Sequence, residues 1–196
     1  MAKVEVLKLR PTQFAVGMRE VETKVSKLRD LSRDSLHDYL KEHPVPLILA
    51  PDGAQYIIDH HHLARAAWEV GLPEIVTEIR DDLSKMPIAK FWEHMKKEGW
   101  VWLQDQFGKG PHHPELLPID VRGLADDPYR SLAWAVREEK GFHKTPVPFC
   151  EFRWADFFRK HVSGNPSRMG FHKALDEALK LCQRPEAKTL PGYRED

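Results

Sequence analysis

Apolar positions along this chain follow two rhythms, and the change between them falls near Asp82. Before it, strand-like runs are mixed with helical spacings; after it, strand signals nearly vanish. Val4, Val6, Leu7 and Leu9 predict a first strand, stopped by Pro11. Met18, Val21, Val25 and Leu28 recur at helical spacing with charges between them. A second short helix is expected from a cap at Ser32, through Leu36, Tyr39 and Leu40, until His43-Pro44 ends it. Residues 45–50 are almost continuously apolar, as in a buried strand. Pro51-Asp52-Gly53 is a turn signal, and 55–58 returns as the next strand of a hairpin. A helix then runs to Gly71, a C′ residue before Pro73, and 74–80 alternates through Ile75, Val76 and Ile79 as another strand.

The second half reads as helices rich in tryptophan. Ser84 is a candidate cap for a helix through Lys97, ended by Gly99. A loop of Gly, Pro and His spans 108–115. Asp127 followed by Pro128 is a strong helix start. Helices are expected over 151–162 and 167–183, with an irregular tail beyond Pro185. Strands mixed with helices, then helices alone, imply an α+β fold: a small mixed sheet over 1–82 with a helical extension, 83–196, packed on it as one compact unit.

Composition narrows this picture only a little. The chain has 196 residues, 41% hydrophobic and 31% charged, the balance of a globular protein. Its formal net charge of +0 excludes a global basic field of the kind that coats nucleic acid, though not a local groove. Cys150 and Cys182 lack metal or redox spacing and read as buried thiols. No apolar run approaches a membrane span, so a cytoplasmic location without membrane partners is expected. The sequence leaves the oligomeric state open.

Chemistry concentrates where the hairpin meets the following helix, at Asp59-His60-His61-His62-Leu63-Ala64-Arg65. The free N–H groups of a first helical turn, with the helix dipole behind them, favour an anion. Asp59 is either an N-cap or a functional acid that binds a divalent ion or acts as base. Adjacent helical residues diverge, so the three histidines cannot all serve one site. His61 and His62 are the candidates for catalysis, and His60 for the turn or surface. In the 108–115 loop, Lys109, His112 and His113 form either a phosphate-reaching lid or a connector. Arg130 and Arg153, set among aromatic residues, either pair with nearby acids or face a pocket.

The first half resembles the ParB/sulfiredoxin superfamily, in Leu9-Arg10-Pro11-Thr12-Gln13 and in the Asp59-His60-His61-His62-Leu63 turn after a hairpin strand. It is most similar to the ParB-like nuclease branch, in Pro11-Thr12-Gln13 with Val16-Gly17 and Glu20-Val21. Two later blocks also match, Asp126-Asp127-Pro128-Tyr129-Arg130-Ser131-Leu132 and Pro148-Phe149-Cys150-Glu151-Phe152-Arg153-Trp154-Ala155-Asp156-Phe157. The resemblance implies a ParB/sulfiredoxin-like sheet that holds nucleotide phosphates at this turn. It implies Mg²⁺ or another divalent cation on Asp59, and Glu20, ahead of Glu22, as a catalytic carboxylate. His60, Arg65 and Lys109 are then candidate contacts to the nucleotide, and Glu20, Asp59, His61 and His62 the catalytic set. Two positions depart from the family turn: His60 replaces the usual Gly and Leu63 the usual Arg, with Arg65 as a substitute cation. The expected activity is phosphoryl transfer or phosphodiester hydrolysis on a nucleotide, a phosphorylated small molecule or nucleic acid. The alternatives are a kinase for a small molecule such as a free amino acid, and a non-catalytic binding module.

Overall fold

The computed structural model describes residues 1–195. Its strands are β1 (Ala2–Glu5), β2 (Leu9–Pro11), β3 (Ala15–Val16), β4 (Val45–Leu49), β5 (Gln55–Ile57), β6 (Glu74–Asp82) and β7 (Ala125–Asp126). Its helices are α1 (Met18–Asp30), α2 (Arg33–Glu42), α3 (His61–Glu69), α4 (Ile88–Lys97), α5 (Pro128–Glu138), α6 (Cys150–His161), α7 (Pro166–Met169) and α8 (Phe171–Leu181). This is an α+β architecture with helices concentrated in the second half.

Five strands form a mixed sheet in the order β1-β6-β4-β5-β2. β4 lies at its centre, antiparallel to β5 and parallel to β6. Both faces of β4 are covered, which is why 45–50 reads as an unbroken apolar run. Val45 and Leu47 pack with α1 and α3, whereas Ile48 faces Phe91 and Met95 of α4. On α3, Ala64, Ala66 and Ala67 are fully buried, small enough to bring the helix backbone close to its neighbours.

The expected first strand is two strands. A 3-10 turn at Val6–Lys8 separates them, so β1 pairs with β6 on one edge of the sheet and β2 with β5 on the other. Pro11 sits in edge strand β2, where its missing N–H costs least. The helix expected from Ser84 starts only at Ile88, after Pro87; the Ser84 N–H instead bonds Asp82 Oδ1 at 3.0 Å. The helix expected over 167–183 is broken at Gly170, whose φ of 94° separates α7 from α8.

The helical half has its own core, in which Phe142 stacks on Trp154 at 4.4 Å and 8°. The tail is more ordered than its composition suggests. Residues Pro185–Thr189 form a 3-10 turn, and the Pro191 carbonyl accepts the Trp154 indole N–H at 2.8 Å. Cys150 and Cys182 are buried free thiols, and burial pushes them up to about 11 and about 12.

Candidate functional site

A cleft of about 810 Å³ opens between the sheet domain's first half and the helical half. The starts of α3 and α6 line it, along with Glu20 and Lys24 of α1 and Arg130 and Arg137 of α5.

The 12–17 segment, which contributes Gln13 to the lining, is held by the histidines. His61 Nε2 accepts the Thr12 N–H at 3.1 Å, and His62 Nε2 accepts the Gly17 N–H at 3.1 Å. Both acceptances need a lone pair on Nε2, so each ring is neutral with its proton on Nδ1. Burial pushes His61 down to about 3, against the opposing pull of Asp59. Burial also holds His62 well below the ordinary imidazole range, with Arg130, Lys24 and Arg137 adding to the effect. Gly17 is fixed from its other side by α5: a Cβ there would stand 2.8 Å from the Ser131 backbone nitrogen. A larger residue would push apart the junction that the histidines close.

Glu20 is buried at this junction. Its Oε2 lies 3.2 Å from Arg130 Nη2 and its Oε1 3.6 Å from Lys24 Nζ. His62 Nε2 lies 3.4 Å from Glu20 Oε2, but its lone pair already faces Gly17, so the cations hold this carboxylate and the imidazole does not. Glu22, the alternative acid, is exposed on the outer face of α1.

His60 has φ 59° and ψ 25°, so the left-handed conformation of the family's glycine is adopted here with a Cβ present. His60 is also the N-cap, and no side chain caps α3. Asp59 does not reach the first turn: its Oδ1 accepts the N–H of His60 at 2.6 Å. The N–H groups of His61, His62 and Leu63 therefore meet no acceptor among the described residues. His60 lines the cleft with a buried Nδ1 that has no hydrogen-bond partner, and burial lowers its pKa while Asp59 opposes the shift.

The family described as "Putative ParB-like nuclease" matches residues 2–160. The chain belongs to this family. Its fold is similar to the crystal structure of protein Atu1540 from Agrobacterium tumefaciens, with 36% sequence identity, a TM-score of 0.88, and coverage of 98% of this chain and 97% of that one. No curated protein matches the chain.

Two of the residues expected at the site of this ParB-like chain lie outside the cleft. Arg65, the expected substitute cation, lies away from the cleft lining: it pairs with Glu69 at 2.9 Å and donates to the Leu124 carbonyl at 2.9 Å and the Val121 carbonyl at 3.3 Å. It ties α3 to the 121–124 turn. Lys109 is exposed in a turn that closes on itself, because Asp105 Oδ1 accepts its N–H and Asp105 Oδ2 contacts His112. Neither Lys109 nor His112 lines the cleft.

The cations that do line it are Lys24 of α1, Arg80 of β6, Arg130 and Arg137 of α5, and Lys144 of the segment between α5 and α6. Of the later arginines, Arg130 is buried in the cleft wall and Arg153 is exposed. No group of three or more His, Cys, Asp or Glu side chains among the described residues is arranged to hold a metal ion. The donor chemistry agrees, since the buried imidazoles accept backbone N–H groups and Asp59 accepts its neighbour's. This donor set does not fit a protein-built divalent site.

The reading of residues 59–65 missed the start of α6, where Phe149, Cys150, Glu151 and Phe152 line the same cleft. A signal was available: no Ser, Thr, Asp or Asn stands at 149 to cap a clear helical run. No described helix is long and apolar enough to cross a membrane.

Proposed function

We propose that the cleft binds a phosphate-bearing ligand, a nucleotide or a nucleotide-like phosphate ester, and performs phosphoryl transfer or phosphodiester hydrolysis on it. The observation that carries this reading is the bare first turn of α3, with three N–H groups that lack acceptors at the positive end of a nine-residue helix. Such an end attracts an anion through both its donors and its dipole. Lys24 adds a cation, and about 810 Å³ is room for a nucleotide.

Glu20 is the residue assigned to proton transfer. Its carboxylate, 3.2 Å from Arg130 Nη2 and 3.6 Å from Lys24 Nζ, takes the proton of an attacking water or hydroxyl. The attacking oxygen bonds phosphorus, and the leaving oxygen departs with its electron pair. Lys24 and the α3 N–H groups offset charge on the phosphoryl oxygens. His61 and His62 serve the site by holding the 12–17 segment, since their available lone pairs face backbone donors. A divalent ion would arrive with the ligand's phosphates, and no step here runs through one.

Calorimetric titration with ATP, ADP and CTP, with and without Mg²⁺, tests the binding. Assays for phosphate release and DNA cleavage test the chemistry. The expected outcome is binding of at least one nucleotide, with Glu20→Gln keeping the affinity and losing about 100-fold in turnover. Tight binding without turnover by the wild-type protein would make it a binding module, and no binding at all would overturn the reading.

A further inference from the structure

The first turn of α6 shares the features of α3 at a different point in the cleft. Phe149 is its N-cap, in the left-handed region at φ 56° and ψ 31°, and its side chain cannot cap. A phenylalanine held there is strained relative to an ordinary conformation. Such strain persists at positions that the surrounding structure imposes. The N–H groups of Cys150, Glu151 and Phe152 meet no acceptor among the described residues. A left-handed residue followed by helical ones turns successive N–H groups toward one concave point, an anion-receiving arrangement.

A separate observation points to the same place. The Arg130 side chain is only 7% exposed, yet its Nε and Nη1 are buried without hydrogen-bond partners. Its one ionic contact among the described residues is to Glu20, and its guanidinium lies 5.5 Å from the centre of the Phe152 ring, in the first turn of α6. Buried arginine nitrogens are rarely left unpaired, and an anion that reaches this corner would pair them. The one acid in the turn, Glu151, is already neutralised by an ion pair with Arg137.

We propose that the start of α6 and Arg130 together form a second anion subsite, so that the ligand carries two phosphate groups, one at each bare helix start. This deepens the reading above and rests on it for the first phosphate. It narrows the substrate class to molecules with at least two phosphates, such as a nucleoside polyphosphate or an oligonucleotide, and sets aside simple monophosphate esters.

The test is calorimetric titration of the full chain with inorganic phosphate, pyrophosphate and tripolyphosphate. The wild type should bind one of the longer two at least about 10-fold more tightly than phosphate. Arg130→Met should remove that advantage while phosphate still binds. Glu151→Gln, which frees the cleft-lining Arg137 from its ion pair beside the turn, should strengthen oligophosphate binding several-fold and leave phosphate unchanged; misfolding does not produce a gain. An oligophosphate advantage untouched by both variants would overturn the second subsite and leave the α3 reading standing. Failure of all three anions to bind would overturn both.

Discussion

The helices around the cleft begin in two contrasting ways. At the start of α1, the Met18 N–H bonds Asp126 Oδ1 at 3.1 Å and the Arg19 N–H bonds Ser131 Oγ at 3.3 Å. At the start of α5, Asp127 Oδ1 takes the Tyr129 N–H at 2.9 Å. Those ends are closed by side chains and contribute to stability. The starts of α3 and α6 have no such acceptors, and each is preceded by a non-glycine residue in the left-handed region. A fold that caps two helices and leaves two bare on one cleft separates the ends that hold the structure from the ends that the proposed ligand would meet.

The largest way to break that contrast is at a capped end. Asp127 is buried, caps α5 and pairs with Arg159 at 2.6 Å. Asp127→Ala is expected to lower stability by about 2 kcal/mol, because it removes a cap and strips one of two carboxylate partners from the half-buried Arg159. Urea unfolding measures it, and a change under 1 kcal/mol would mean the cap is not structural.

Comparable in size are the effects at the histidines that hold the 12–17 segment. His62→Leu leaves the buried Gly17 N–H without an acceptor and should cost about 2 kcal/mol above pH 6.5, where the wild-type ring is neutral in both states. His62→Gln can keep an acceptor near the Nε2 position and should cost less. The pH dependence follows from the neutral rings. Unfolded histidines titrate near 6.5, whereas His61 folded titrates at about 3 and His62 also lies well below the usual range. The unfolded chain therefore binds more protons throughout the window below 6.5. Stability is full above that value and falls as the pH drops, down to about 3 for His61. Each ring contributes up to about 1.4 kcal/mol per pH unit. Urea midpoints for wild type and His62→Gln between pH 7.5 and 4.5 should show a shallower slope in the variant. Equal slopes would count against a neutral buried ring.

The smallest effect sharpens the contrast from the bare side. His60→Gly restores the residue that the left-handed conformation favours and should raise stability by about 1 kcal/mol or less. A clear loss would show that the His60 side chain contributes more to the fold than its backbone strain costs.

Local patterns in the sequence were legible where a segment determines its own structure. The hairpin around Pro51-Asp52-Gly53 has its expected strands, Ser32 caps α2 through the Ser35 N–H, and Asp127-Pro128 opens α5. Elements set by distant partners were not. The chain through Val6–Lys8 crosses from one sheet edge to the other because β1 and β2 find partners in β6 and β5, which local alternation does not reveal. Ser84 lost its helix to an Asx-type bond with Asp82 and to Pro87.

The site divides the same way. That 59–63 carries the chain from the hairpin strand into a helix start was legible from local pattern alone. That its histidines face Thr12 and Gly17, that Arg65 faces the 121–124 turn, and that Arg130 and α6 complete the cleft depend on contacts across 45 residues or more.

The most direct measurement is a ¹⁵N-amide NMR titration of the full chain with pyrophosphate. The amides of His61, His62 and Leu63, and of Cys150, Glu151 and Phe152, should shift with one binding curve, while those of Met18, Arg19 and Tyr129 stay in place. Shifts confined to the capped starts, or spread equally over all four helices, would contradict the account.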